Sequence, residues 1–169
     1  NECILFKNIT IDDIERMLDC MTYYEKSYDK GETVYFVGDK IKSVGIVLAG
    51  GVNIIQEDYW GNRTILDNLA VGDIFGESFS YAEIESIPIS VITFEKTKLI
   101  FIDYSKIINA CNSICVYHAS LIRNMLEILA KKNIILMQKI GHLTKRTTRE
   151  KLLSYLSVQA LNNKSNNFF

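Results

Sequence analysis

The chain has 169 residues, 48% of them hydrophobic, which is about one domain's length and enough to bury a genuine core. It contains no run of eighteen or more apolar residues and no basic-then-apolar leader, so we expect no membrane span, no secretory signal and a cytoplasmic protein. The net charge of −1 conceals two regions of opposite sign. Residues 1–122 hold ten basic and eighteen acidic side chains, whereas residues 123–151 hold eight basic and two acidic ones. The basic region is the part expected to face nucleic acid, although a solvated helix face would have the same composition.

The first predicted element is a short amphipathic helix that starts at Ile11, after Thr10 and with Asp13 as a cap-like acid. Residues 24–104 then consist of short segments rich in Val, Ile, Thr, Tyr and Phe, separated by glycine turns such as Gly38-Asp39 and Gly72-Asp73. This pattern predicts a mainly β fold with helices, built on a double-stranded β-helix, jelly-roll-like roll.

A long helix is predicted over residues 114–143, and its apolar residues repeat at heptad spacing. The predicted dimer seam consists of Ile122, Leu126, Leu129, Asn133, Leu136, Ile140 and Leu143. A single Asn at an a position favours a parallel, in-register homodimer through a coiled coil. A helix buried on several sides of a monomer would also be apolar beyond one stripe. A second stripe is expected to pack back on the roll and comprises Leu121, Met125, Ile128 and Ile135.

Thr147 and Glu150 form a capping-box pattern that starts another helix after a hinge. Lys145, Arg146 and Arg149 lie beside this hinge and could contact DNA phosphates. The chain ends at Phe168-Phe169 as if another element were beginning, so we expect a truncated protein. The predicted organisation is an effector-sensing roll over residues 1–112, a dimerisation helix over 113–143, and a hinge with the first helix of a DNA-binding domain over 144–169.

Two sets of residues carry a resemblance to a known family. The first resembles the glycine-framed β-roll of cyclic-nucleotide-binding domains and consists of residues 28–32, 37–39, 46–52, 61 and 69–77. Residues 139–156 resemble the junction between the dimer helix and the DNA-binding domain in Crp/Fnr transcription regulators. This resemblance implies a bacterial homodimer whose small-molecule effector binds between roll and long helix and allosterically reorients two winged-helix domains. The helix-turn-helix itself is missing from this chain, and RNA polymerase is an implied partner of the full-length protein.

The ligand cassette of the family is only partly present. Its members hold the cyclic phosphate with backbone N–H groups and an Arg about ten residues after a Phe-Gly-Glu motif, whose Glu bonds the ribose. Phe75, Gly76, Glu77 and Ser78 match that motif, but residues 87–90 read Ile-Pro-Ile-Ser, and no Arg stands between Arg63 and Arg123. The missing charge-assisted contact corresponds to a loss on the order of a hundredfold in affinity.

We therefore do not expect tight cAMP binding, and we expect an uncharged or aromatic effector in an apolar-walled pocket. The predicted effector-binding residues are Phe75, Gly76, Glu77, Ser78, Ile87, Pro88, Ile89, Leu129, Asn133 and Leu136. Two alternatives stay open. The chain could bind cAMP with Lys96 or Lys98 in place of the Arg, although both are expected to face solvent on a hairpin, or it could be an oligomerisation module that binds no ligand.

Other function classes find little support in the residues. The roll contains no His between residues 1 and 117, so metal-dependent cupin chemistry is not expected, and no catalytic motif, metal or cofactor is predicted. Cys3 and Cys20 are too far apart for the cysteine cluster that an iron–sulfur sensor requires, and His118 fits a packed side chain better than a haem ligand. Cys111 and Cys115 could form a redox pair, but unpaired thiols are the simpler expectation.

Overall fold

The computed structural model describes residues 3–108 and 116–162. Within them, a 3-10 helix (Ile4–Phe6) and helix α1 (Ile11–Cys20) precede the strands. The strands are β1 (Tyr23–Tyr28), β2 (Thr33–Tyr35), β3 (Ser43–Ala49), β4 (Val52–Glu57), β5 (Arg63–Leu69), β6 (Ile74–Phe75), β7 (Ser90–Thr93) and β8 (Thr97–Asp103). The remaining helices are α2 (Glu77–Tyr81), α3 (Tyr104–Ile108), α4 (Val116–Leu143) and α5 (Thr148–Asn162).

The strands form two antiparallel sheets, ordered β1-β8-β3-β6 and β2-β7-β4-β5. Consecutive strands change sheet at every connection except the one from β4 to β5, and two of these crossings lead from β3 to β4 and from β7 to β8. The two crossings pack on each other, because Gly51 N donates to Thr97 Oγ1 at 3.1 Å and a Cβ at Gly51 would overlap the Phe94 ring. The mainly β roll is thus confirmed. The hairpin expected around Lys96 and Lys98 is wrong, since that turn joins strands of different sheets.

The main core lies between the two sheets and draws apolar side chains from both. Its buried members are Tyr28, Ile41, Val47, Val52, Leu69, Phe75, Ile87, Ile89, Val91, Leu99 and Phe101. Each such side chain contributes about 1.5–3 kcal/mol by leaving water. The alternation of inward and outward residues in strands therefore places the apolar set in one continuous interior.

Helix α1 begins where the sequence predicts. Asp13 N donates to Thr10 Oγ1 at 3.3 Å, and Thr10 Oγ1 donates to the Asp13 carboxylate at 2.5 Å. The side chain of Thr10 thus satisfies one of the N–H groups that a helix start leaves without an intrahelical acceptor.

The chain divides into two compact units, residues 1–126 and 127–169, and the division falls inside α4. In the first unit, Leu121 and Met125 are buried, and Asn124 donates to Leu5 O at 2.9 Å and to Lys7 O at 2.8 Å. The domain boundaries expected at residues 112 and 143 stay predictions. Among the described residues, no helix is both long and apolar enough to cross a membrane.

The predicted second stripe of α4 is only partly buried. Leu121, Met125 and Ile128 are excluded from solvent, Ile135 is 50% exposed, and its predicted packing on the roll stays a prediction. Residues 114 and 115, the first two of the predicted long helix, lie outside the described residues.

Helix α5 begins with the predicted capping box. Glu150 N donates to Thr147 Oγ1, and Thr147 N donates to Glu150 Oε2, each at 3.2 Å. The reciprocal pair satisfies two N–H groups at the helix start. The predicted break between the two C-terminal helices is confirmed, since α4 ends at Leu143 and α5 starts at Thr148.

Candidate functional site

The candidate site is built around the turn from β6 into α2. Phe75 ends the strand, Gly76 adopts a left-handed φ of 81°, and Glu77 starts the helix. A side chain at Gly76 would come within 3.1 Å of Ser43 O, in a backbone conformation that L residues rarely adopt. Ser80, four residues further along, donates its hydroxyl Oγ to Gly76 O at 2.7 Å and so fixes the conformation of this turn. The motif is therefore a rigid, closely packed corner.

Glu77 is the buried polar group of this corner. Its side chain is only 2% exposed, and its Oε1 accepts a hydrogen bond from Ser78 Oγ at 3.3 Å, while Ser78 itself lies at the surface. A carboxylate held in the protein interior is a strong acceptor for a ligand hydroxyl.

The segment that replaces the family's arginine is packed into the roll. Ile87 is 0% exposed, and its backbone pairs with the β2–β3 loop, since Ile87 N donates to Asp39 O at 3.0 Å and Gly38 N donates to Ile87 O at 2.9 Å. Ile89 is likewise buried, whereas Pro88 between them is exposed. In this structure Ile87 and Ile89 are core residues and do not line an open pocket, because the β-type alternation directs both inward.

The two lysines considered as substitutes for the arginine are engaged elsewhere or exposed. Lys98 Nζ pairs with Glu25 Oε2 of β1 at 2.5 Å, and Lys96 is exposed in the turn before β8. Their expected solvent-facing position is confirmed.

An aromatic cluster fills the roll beside this corner. The rings of Tyr35, Phe75 and Phe101 meet edge to face, with centroids 6.0 to 6.2 Å apart. Phe75 lies directly on Gly45, where any Cβ would overlap its ring. Burial raises the pKa of the Tyr35 phenol. Tyr35 and Gly45 could not be singled out from the sequence, since neither belongs to a local motif that places it beside Phe75.

Tyr81 is a second residue that the sequence analysis missed. Its hydroxyl is buried and has no hydrogen-bond partner among the described residues. Burial, and then the charge of Glu77, raises the pKa of the phenol. The signal was available, because residues four apart on a helix share a face and Tyr81 follows Glu77 by four.

A cleft of about 300 Å³ lies beside α2 and α3, next to the Tyr81 ring's edge contact with Tyr104. Its walls carry both signs of charge, including Lys40 and Glu85, whose Nζ and Oε1 atoms are 2.5 Å apart. The Tyr104 hydroxyl donates to Glu83 Oε1 at 3.4 Å. The lining holds two lysines, Lys40 and Lys42, and three acidic side chains, Glu83, Glu85 and Asp103, so the cleft carries both signs of charge with a small acidic excess.

The sites of the rival function classes can be located in part. His118 is buried in α4, as expected for a packed side chain. Cys3 lies in the N-terminal segment, and burial raises the pKa of its thiol. No group of three or more His, Cys, Asp or Glu side chains within the described residues could hold a metal ion. Cys111 and Cys115 lie outside the described residues, so their suggested redox pairing stays a prediction.

All seven predicted seam residues lie within α4, and their pairing with a second copy stays a prediction. Four of the seven seam residues, Leu126, Leu136, Ile140 and Leu143, are more than half exposed, and Asn133 is exposed with them. Ile122 and Leu129 are half-buried. The hinge residues Lys145, Arg146 and Arg149 are exposed at the α4–α5 junction. The chain thus presents a half-exposed apolar stripe followed by a basic junction.

The fold and this corner define a β-roll domain followed by a long helix. Residues 25–113 match the family of the cyclic nucleotide-binding domain, and the chain belongs to that family. A comparison with curated proteins finds no match.

Solved structures share the fold. The catabolite activator protein of Thermus thermophilus superposes with a TM-score of 0.69 at 18% identity, over 83% of this chain and 63% of that protein. The c-di-GMP-responsive global regulator CLP of Xanthomonas campestris gives 0.69 at 20% identity, over 85% of this chain and 69% of that one. The sensor domain of the transcriptional regulator DNR from Pseudomonas aeruginosa gives 0.60 at 18% identity, over 86% of this chain and 89% of that domain. The resemblance to Crp/Fnr regulators is confirmed at the level of domain family and fold, and the chain spans 63% of the Thermus protein's length.

Proposed function

We propose that this chain is the effector-sensing and dimerisation region of a Crp/Fnr-type transcription regulator. The observation that carries the proposal is the corner at Gly76 and Glu77, which keeps the family's buried carboxylate while Ile87 occupies the segment of the phosphate-binding arginine. A site that keeps the carboxylate but lacks the arginine for the phosphate is expected to bind a ligand other than a cyclic nucleotide.

The effector proposed for this site is uncharged. Glu77 would accept a hydroxyl or amide hydrogen, and the buried hydroxyl of Tyr81 would donate to a carbonyl or ether oxygen. Partly buried aromatic side chains beside the corner, Tyr35 foremost, would contact the rest of the effector. The contacts predicted from Leu129, Asn133 and Leu136 of α4 belong to the same proposal.

The helix α4 is proposed to pair with α4 of a second copy in parallel. Support comes from the exposure of Leu126, Leu136, Ile140 and Leu143, since contiguous exposed apolar surface of this kind marks an interaction site. Effector binding would shift the register or angle of the two helices, and the hinge would pass the change to the DNA-binding part of a longer protein. Lys145, Arg146 and Arg149 would make positioning contacts to phosphates.

A calorimetric titration with cAMP and cGMP, beside a panel of uncharged aromatic and hydroxylated metabolites, tests the ligand class. We expect no binding of either nucleotide at micromolar concentration and at least one neutral compound that loses affinity on Glu77→Gln. Micromolar binding of cAMP would contradict the proposal.

The second candidate function is an oligomerisation module without a ligand. The packing of Ile87 and Ile89 into the core favours it, because a filled interior leaves less room for an effector. A dimer in sedimentation experiments, with no thermal shift from any compound of the panel, would select this function over the sensor.

A further inference from the structure

A polar contact joins the two helices of the second compact unit across their hinge. His142 Nδ1 in the last turn of α4 lies 2.8 Å from Ser154 Oγ in α5, twelve residues further along the chain. The His142 ring also meets the Tyr155 ring edge to face, with centroids 5.9 Å apart and planes at 85°. We call His142, Ser154 and Tyr155 the latch.

The other bonds near the hinge close each helix separately. Thr144 N donates to Ile140 O at 3.0 Å and finishes α4, and the capping box of Thr147 and Glu150 starts α5. Bonds of this kind stabilise helix ends but leave the angle between the helices undetermined. The latch differs from them because it fixes a point of α5 against α4.

Apolar burial does little to hold α5 in place. Leu152 and Leu153 are more than half exposed, and Leu161 is 78% exposed. Since few apolar side chains of α5 leave water, directional contacts weigh more in setting its orientation than they would in a packed helix pair.

We propose that the latch sets the angle between α4 and α5, and that its opening is the step by which movement of α4 reorients α5. The inference rests on the proposed function for its regulatory meaning, since α5 would be the first helix of the DNA-binding part. The hinge then has two states, one with Ser154 held by His142 and one in which α5 is released, and a change in α4 that favours one state over the other shifts their populations.

The hinge carries its own probe, because Lys145 and Arg146 are trypsin sites inside it. Proteolysis requires the hinge to open, so the cleavage rate at these two residues, followed by mass spectrometry on the full chain, tracks the released state. Loss of one hydrogen bond should accelerate cleavage roughly fivefold in Ser154→Ala. Ser157→Ala is the matched control, since Ser157 Oγ donates within α5 to Leu153 O at 2.8 Å and does not cross the hinge.

Two further variants separate the latch from general damage to the helix. Ser154→Thr keeps the hydroxyl and should return cleavage to the original rate. His142→Ala should accelerate cleavage at least as much as Ser154→Ala, because it also removes the ring contact with Tyr155, and the double variant should add little to His142→Ala alone. Circular dichroism and hydrogen exchange of the roll should be unchanged in all of them.

Equal cleavage rates in Ser154→Ala and Ser157→Ala would overturn the latch. The assay uses neither effector nor DNA, so its outcome is independent of the ligand and dimer tests above. A failure of those tests with accelerated cleavage in Ser154→Ala would remove the regulatory meaning and leave the latch itself in place.

Discussion

The hydroxyl of Tyr81 is buried and has no hydrogen-bond partner among the described residues. Removing a buried group in that condition returns part of its desolvation cost, so Tyr81→Phe should raise the free energy of unfolding by about 1 kcal/mol. Urea denaturation followed by circular dichroism measures the change. Tyr104→Phe is the control, because its hydroxyl already reaches Glu83 near the surface and its loss should be close to neutral. A destabilised Tyr81→Phe would mean that the hydroxyl has a partner in solution.

Asn124 is a buried side chain that binds two carbonyl oxygens of the N-terminal segment, Leu5 O and Lys7 O. Asn124→Ala removes both bonds and leaves carbonyl groups in an apolar setting, so it should destabilise the first unit by about 2–3 kcal/mol. The comparison is Asn68→Ala, whose Nδ2 donates to Asn53 Oδ1 at 2.8 Å on the exposed face of a hairpin. For Asn68→Ala we expect the free energy of unfolding to change by less than about 0.5 kcal/mol, as is usual for a surface substitution. Similar losses in the two variants would contradict the importance of the buried bonds.

At the scale of elements, the turn between β4 and β5 is organised by one carboxylate. Asp58 Oδ1 accepts from Trp60 N and Asn62 N, each at 2.9 Å, and Asp58 Oδ2 accepts from Asn62 Nδ2 at 2.9 Å. The side-chain bond from Asn62, followed by its backbone N–H, holds the pKa of Asp58 below its usual value. The carboxylate form is thus the one that the turn prefers.

Protonation of Asp58 should loosen this turn. Because its pKa is lowered on folding, the contribution is present above the pKa of an unstructured aspartate and is lost as the pH falls through the lowered value. Trp60 is the chain's one tryptophan and is 82% exposed in the turn, so its fluorescence should change in that acidic range and follow a single titration. Asp58→Asn should flatten the curve. A titration midpoint at or above the ordinary aspartate value would be inconsistent with these bonds.

Features fixed by neighbouring residues could be predicted from the sequence, whereas features that depend on distant parts of the chain could not. The capping residues Thr10 and Thr147 act within one helical turn, so residue identity alone located both helix starts. The turn at Lys96 was misassigned to a hairpin because the choice of sheet partner depends on strands far away in the chain. The packing of Ile135 on the roll stays a prediction, since periodicity shows which face of a helix is apolar but not what covers it.

The candidate site was predictable only where a motif carried it. Phe75, Gly76 and Glu77 stand in a contiguous pattern and were found, and the structure shows Glu77 buried at the start of α2. Tyr35 comes from a distant strand, and nothing in its neighbours indicates that its ring meets Phe75. The inward direction of Ile87 likewise follows from its backbone pairing with Asp39, which no local pattern encodes.

For the whole molecule, Asn133 is the residue on which the proposed pairing can be tested. An Asn at an a position costs stability but selects a parallel, in-register dimer. Asn133→Leu should therefore bind its partner more tightly and lose its unique assembly state, giving a mixture of dimers and larger species in sedimentation experiments. Gln138→Leu is the control, because Gln138 lies on the exposed face opposite the seam. An unchanged assembly state in Asn133→Leu would place this residue outside the interface.

The half-exposed stripe of α4 also ties stability to abundance. If the stripe is covered by a second copy, folding of the second unit is linked to association, and its melting temperature must rise with protein concentration. Each tenfold dilution would withdraw about 1.4 kcal/mol per dimer, while the first unit, whose core lies within one chain, would melt at the same temperature throughout. In a cell that makes few copies of this protein, the first unit would then be folded while α4 of the second unit lacked its partner. The number of copies would therefore regulate the protein in addition to the effector.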